Sequence, residues 1–96
     1  MTPATRGSWW RSESGGLYLV LGIGFSDHGA AAVVRALWIT GHKTPQLHRV
    51  KLAVFAWRAI TAKGERLTAA PTVNQHGDDV REQVAEALRR LEDDPG

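Results

Sequence analysis

The residues of this sequence that could do chemistry are four tryptophans, four histidines and several basic side chains. Trp9 and Trp10 are adjacent and precede Arg11, whereas Arg49 and Lys51 alternate with apolar residues. Basic groups beside a flat aromatic ring suit a nucleic-acid backbone with stacked bases. In a small domain, tryptophan side chains can also cover the ends of the hydrophobic core. Because neighbours in an extended strand face opposite ways, we expect one of the two adjacent tryptophans to pack and the other to be free.

The charge is divided unevenly along the chain. Residues 1–76 contain nine Lys and Arg against three Asp and Glu, and residues 77–96 contain three against seven. A basic body attracts polyanions, and an acidic end opposes that attraction or neutralises the body from within. The plainer interpretation of the acidic end is the solvated face of a helix.

No motif predicts catalysis or metal binding. Gly22 and Gly24 follow an apolar run, but a dinucleotide fingerprint needs a third glycine where Asp27 stands. Ser26, Asp27 and His28 are neighbours in the chain, whereas the side chains of a triad converge from separate segments. The histidines lack helical i, i+4 spacing, and the chain has no cysteine. We therefore expect no enzyme activity, no cofactor and no metal.

Length and composition predict one small domain. A chain of 96 residues buries only about 60–65 % of its unfolded surface, so the core is marginal. The absence of cysteine fits a reducing compartment. The longest apolar run, Leu17 to Phe25, is far shorter than the roughly 20 residues that span a bilayer, and the first residues lack the apolar stretch of a secretory signal. We expect a cytoplasmic protein without a membrane segment.

Alternating apolar residues predict strands in the first half of the chain. In LYLVLGIGF, residues 17–25, one face is wholly apolar and the other ends in two glycines. The following SDHG is typical of a turn. Residues 30–40, AAAVVRALWIT, fit either a helix face or a strand, and a hairpin with the preceding strand favours the strand.

The stretch QLHRVKLAVFAWRAIT, residues 46–61, decides the fold class. Thr44 and Pro45 could begin a helix and Gly64 could end it, which leaves an α+β fold with residues 45–63 helical as the alternative. At 100° per residue, however, the apolar side chains scatter among basic ones. As a strand, HRVKLAV places Val50, Leu52 and Val54 inside and Arg49 and Lys51 outside, with a bulge or helical turn at Phe55. We favour the strand, and a further short strand around Leu67.

The last element is an amphipathic helix, predicted over residues 79–92. Asp79 is a candidate cap with Glu82 three residues later, and Arg89 and Arg90 lie in the last turn. One apolar stripe contains Val80, Val84, Ala87, Leu88 and Leu91. The residues predicted to contact a protein partner are Val84, Leu88 and Leu91.

The order of these motifs resembles a group of short bacterial and phage domains of unknown function that have an SH3-like β-barrel. Their pattern is roughly G-x-x-W-R, G-x-x-Y-x-V-L-G, V-V-Y-R-x-L and R-P-L-x-x-F. The matching residues are Gly7, Trp10, Arg11, Gly16, Tyr18, Val20, Leu21, Gly22, Val33, Val34, Arg35, Leu37, Arg49, Leu52 and Phe55. The resemblance implies an SH3-like barrel over residues 7–58. It also implies that Trp10 packs, which makes Trp9 the freer tryptophan.

Together these patterns predict a mainly β fold: a mobile end over residues 1–8, a small SH3-like barrel over 9–70 and a C-terminal helix over 77–93 packed on the barrel or on a partner. The predicted function is a non-catalytic binding module of bacterial, phage or mobile-element type. It contacts nucleic acid without sequence preference through Trp9, Arg11, Arg49 and Lys51. The alternative is a protein–protein adaptor or inhibitor that docks through its C-terminal helix.

Overall fold

The computed structural model describes residues 5–11, 16–25, 32–39, 44–52, 65–67, 69–74 and 76–94. Within them, five strands form one antiparallel sheet and a helix follows: β1 (Trp9–Arg11), β2 (Leu17–Phe25), β3 (Ala32–Ile39), β4 (Gln46–Lys51), β5 (Glu65–Leu67) and α1 (Arg81–Asp93). The strand order in the sheet is β4-β3-β2-β1-β5. The prediction of a mainly β fold with a C-terminal helix is therefore confirmed.

The two longest strands form the centre of the sheet. β2 has the bounds predicted from its alternation, and the ambiguous residues after it form β3, which pairs with β2 from Leu17↔Ile39 to Phe25↔Ala32. The register shifts between Val20 and Gly22, where β2 carries one extra residue. Such a bulge bends a strand and increases its twist. The predicted turn at residues 26–29 lies outside the described residues.

The sheet buries apolar side chains on both faces. We call the side that contacts α1 the helix face: six sheet residues pack there with three residues of the C-terminal segment, Trp9, Leu17, Leu19, Leu21, Leu37 and Ile39 with Val80, Val84 and Ala87. The second face buries Trp10, Val20, Val34 and Ala36. Trp9 and Trp10 lie on opposite faces, as their adjacency in a strand requires.

The strand interpretation of the ambiguous central stretch is confirmed over β4. Residues 46–51 pair with β3 from Val33↔Lys51 to Trp38↔Gln46, so the alternative of a helix over residues 45–63 is wrong for this part. The predicted strand also included Leu52, which is instead helical and half-buried against the second face. The rest of that stretch, with Val54, Phe55 and Trp57, lies outside the described residues.

Helix α1 begins two residues later than predicted. Its N-cap is Val80, which makes no side-chain capping bond, so the predicted capping box of Asp79 and Glu82 is wrong. The Asp79 carboxylate nevertheless accepts a hydrogen bond from the backbone N–H of Arg81 at 2.8 Å. It thus satisfies one of the free N–H groups of the first turn without being the N-cap.

A compact turn leads into α1. The buried Asn74 side chain accepts hydrogen bonds from the backbone N–H groups of His76 and Asp78, and Gly77 takes a positive φ of 87°. Asparagine and glycine are the residues that such turns favour. The turn fixes where the helix starts relative to the sheet. No helix in the described parts of the chain is both long and apolar enough to cross a membrane.

Residues 5–8, predicted as part of a mobile end, are hydrogen-bonded to the rest of the chain. The backbone N–H of Gly7 donates to the carbonyl of Val20, and that of Val20 donates to the carbonyl of Ser8. The Ser8 hydroxyl is buried and accepts a hydrogen bond from Trp10 Nε1 at 3.0 Å. This segment therefore extends the anchorage of β1 beyond its three residues.

Candidate functional site

Two cations on strand β4 form an exposed polar feature of the sheet. Arg49 and Lys51 are exposed, as predicted, and both lie on the helix face, opposite Arg35 and Val33 of β3. We call them the edge cations, because β4 is the last strand of the described sheet. Neither forms an ion pair with any residue that the structure describes. Their charges are therefore available to an anion from outside.

Other cations of the basic body are engaged inside the fold. The Arg35 guanidinium donates two hydrogen bonds to the Asp94 carboxylate, at 3.0 and 3.1 Å, and this carboxylate is only 11 % exposed. Arg6 lies 3.6 Å from the same carboxylate and donates to the carbonyl oxygens of Leu21, Leu91 and Asp94. The acidic end thus neutralises part of the body from within, as one interpretation of the charge pattern allowed.

This ion cluster also bears on the edge cations. Arg35 and Arg49 are direct cross-strand neighbours, and like charges in that position destabilise a sheet. The Asp94 carboxylate compensates the charge of Arg35 and leaves Arg49 unneutralised. Because Asp94 neutralises Arg35, Arg49 can lie beside Arg35 without an ion pair of its own among the described residues.

The predicted nucleic-acid residues do not come together. Trp9 is only 4 % exposed and packs in the core of the helix face, so the prediction that it is the freer tryptophan is wrong. Arg11 is half-buried at the end of β1, which two strands separate from β4. A small sheet with two buried faces has no free side for a tryptophan in β1. Of the four residues, only Arg49 and Lys51 form one exposed surface.

An aromatic feature that sequence analysis missed crosses three strands of the second face. Tyr18 and Trp38 are register partners whose nearly parallel rings lie 6.2 Å apart, and the His48 ring meets Trp38 edge-on at 4.9 Å. We call these three half-buried side chains the aromatic row. They are far apart in sequence, so only the strand register brings them together.

The three helix residues predicted to bind a partner differ in their surroundings. Val84 is buried in the core of the helix face, and Leu91 packs against it, so both contact the chain's own sheet. Leu88 is 37 % exposed and borders an open groove of about 710 Å³. The groove is lined by Arg6, Gly7, Ser8, Trp9, Leu67, Ala69, Ala70 and Leu88.

The titratable groups of α1 are arranged for helix stability. A hydrogen bond from Arg89, with a weaker contribution from Arg90, lowers the pKa of the Glu86 carboxyl below its ordinary value. Arg90 also donates to the carbonyl oxygen of Pro45 at 2.7 Å, just before β4. In the described residues, no group of three His, Cys, Asp or Glu side chains is placed to hold a metal ion.

Comparison with known proteins gives no relative: no family model, no curated protein and no solved structure matches the chain.

Proposed function

We propose that this protein is a non-catalytic binding module that holds the phosphate backbone of a nucleic acid along strand β4. The observation that carries this proposal is the pair Arg49 and Lys51, exposed on one face of an edge strand and without an ion pair among the described residues. Residues two apart in a strand are separated by roughly 6.8 Å, so the two cations can meet successive anionic groups along a chain.

Binding through these residues is expected to show little sequence preference. Contacts to phosphate fix the position of a protein but carry no sequence information, and neither edge cation lies on a helix that could enter a groove. The free energy of such contacts comes largely from counterion release, so the affinity falls steeply as salt is added.

The test is a fluorescence-anisotropy titration of a labelled single-stranded thymidine oligonucleotide, roughly 15 nucleotides long, over a series of salt concentrations. The double variant Arg49→Gln/Lys51→Gln is expected to bind more weakly. Its slope of log affinity against log salt is expected to be shallower by about 1.4, since each phosphate contact on a single strand contributes about 0.7.

The matched control is Arg81→Gln/Arg89→Gln, which removes the same charge from the exposed side of α1, where the two side chains are 70 % and 68 % exposed. If the control variant lost as much affinity as the β4 variant, net charge rather than β4 would be responsible. No binding by the unmodified protein at low salt would rule out the nucleic-acid function.

The second candidate function is a protein–protein adaptor that docks through α1. The observation in its favour is Leu88, an exposed leucine beside the groove. Such docking should be lost in Leu88→Glu and should survive in Arg49→Gln/Lys51→Gln. A pull-down with nuclease-treated lysate that gives the opposite pattern excludes this candidate.

For the fold, we propose that the sheet curves into a partly open SH3-like barrel of the kind found in the bacterial and phage domains that the sequence resembles, with the outer edge of β4 left unpaired. The bulge in β2 and the return of β5 to the side of β1 support this proposal. We expect no nuclear Overhauser contacts between residues 46–51 and residues 65–67. Such contacts would show that the barrel closes and that β4 has no free edge for a nucleic acid.

A further inference from the structure

We infer that the nucleic acid bound along β4 is single-stranded, because the aromatic row provides a place for unpaired bases beside the edge cations. This inference rests on the function proposed above and adds the substrate class to it. It follows from the position, the geometry and the hydrogen bonding of Trp38 and His48.

The edge cations and the aromatic row both include residues of strand β4. His48 and Arg49 are consecutive residues of β4, so their side chains lie on opposite faces of the same edge strand. Trp38 pairs in register with Gln46, an exposed residue of the same strand. A strand of nucleic acid held by phosphate at Arg49 and Lys51 therefore passes within one strand's width of the row, and its bases can turn over the edge onto the second face.

The rings of the aromatic row can stack on unpaired bases. Every base has a π face, and base–aromatic stacking tolerates any sequence, in agreement with phosphate contacts that carry no sequence information. In a duplex the faces of the bases are already covered by their neighbours, whereas an unpaired base can stack on a protein ring. The two features together suit a polymer that is anionic along its backbone and aromatic at its side groups.

Trp38 and Trp10 differ in the hydrogen bonding of the indole N–H. The Nε1–H of Trp38 is buried and has no hydrogen-bond partner among the described residues, in contrast to Trp10, whose Nε1 donates to the Ser8 hydroxyl. An indole N–H left without an acceptor is costly and uncommon in a folded protein. Among the described residues, Trp38 is held by ring contacts with Tyr18 and His48, which are the kind of contact that a stacked base also makes.

The test compares a thymidine oligonucleotide with an abasic oligonucleotide of the same length, which keeps the phosphates and lacks the bases. The unmodified protein is expected to bind the thymidine strand between about 5-fold and 150-fold more tightly, the range given by one stacked base. In Trp38→Leu the two affinities are expected to become equal, with the abasic affinity unchanged. A duplex of the same length has no unpaired base, so Trp38→Leu is expected to leave its affinity unchanged.

The matched control is Leu47→Ala, which removes a 52 % exposed side chain from β4 on the helix face and should preserve the preference for the thymidine strand. Circular dichroism and thermal unfolding establish that each variant is folded. If Trp38→Leu does not fold, His48→Ala replaces it and is expected to reduce the preference.

The outcomes separate the two proposals. Equal binding of the thymidine and abasic strands by the unmodified protein overturns the single-strand inference and leaves the phosphate-binding function intact. A duplex affinity that falls in Trp38→Leu as much as the thymidine affinity does has the same consequence. A preference that survives both Trp38→Leu and His48→Ala also overturns it. No binding of any oligonucleotide at low salt overturns the proposed function itself.

Discussion

At the scale of single residues, the two adjacent tryptophans show how the sheet uses a pair that resembles a binding surface. Trp9 packs with the helix face and Trp10 with the second face, and they are 4 % and 3 % exposed. The indole N–H of a buried tryptophan usually donates to an acceptor. For Trp10 that acceptor is the Ser8 hydroxyl, which in turn donates to the carbonyl oxygen of Thr5.

The substitution Ser8→Ala is expected to lower the free energy of unfolding by about 1–3 kcal/mol, because it removes a buried acceptor from the Trp10 N–H. Urea unfolding measures the change. The double-mutant cycle with Trp10→Phe supplies the control: in a chain that already lacks the indole N–H, removing the Ser8 hydroxyl should cost less. Additive effects of the two substitutions would show that this hydrogen bond does not contribute.

At the scale of elements, the attachment of α1 to the sheet depends on its C-terminal end as well as on its apolar stripe. Val84 and Ala87 pack on the helix face, while Asp94, directly after the helix, binds Arg35 of β3 and lies beside Arg6. Arg6 also donates to the carbonyl oxygens of Leu91 and Asp94, where the helix dipole favours a cation. Residues from both ends of the chain are thereby joined to the central hairpin.

The substitution Asp94→Ala is expected to destabilise the fold by about 1–3 kcal/mol, because it leaves the half-buried guanidinium of Arg35 without its carboxylate. Asp93→Ala is the matched control. This neighbouring carboxylate is exposed and forms no ion pair with a described residue, so its removal should change stability by less than about 0.5 kcal/mol. Equal effects in thermal unfolding would contradict a specific role for the Asp94 cluster.

At the scale of the whole molecule, the acidic end has two effects on the basic body. Asp94 neutralises Arg35, whereas Glu92 and Asp93 stay exposed and add a negative field that opposes the approach of a polyanion. Since the net charge is only +2, two exposed carboxylates weigh heavily in the total. The long-range field of Glu92 and Asp93 should weaken as ionic strength rises, unlike the direct contact between Asp94 and Arg35.

If β4 binds nucleic acid, the double variant Glu92→Gln/Asp93→Asn is expected to bind a single-stranded oligonucleotide more tightly than the unmodified protein at low salt. The gain should disappear as the Debye length falls to about 8 Å near physiological ionic strength. Anisotropy titrations at several salt concentrations measure this. A gain that persists at high salt would indicate a direct contact instead of a long-range field, and no gain would indicate that these carboxylates lie too far from the bound strand.

Local pattern in the sequence determined the type of the elements. The alternation in residues 17–25 and 48–51 predicted β2 and most of β4, and the apolar stripe after residue 79 predicted α1, because side chains repeat every two residues in a strand and about every 3.6 residues in a helix. The exposure of Arg49 and Lys51 followed from the same alternation.

Only the tertiary structure decided which residues meet. A strand's pattern shows that it has two faces but not what covers each of them, so the burial of Trp9 could not be predicted. The aromatic row depends on the register of three strands, and the Asp94 cluster joins residues up to 88 positions apart. The edge cations are identified by their exposure and by the lack of an ion pair with a described residue, which are properties of the folded chain. The sequence counts the charges, and packing determines which of them stay exposed.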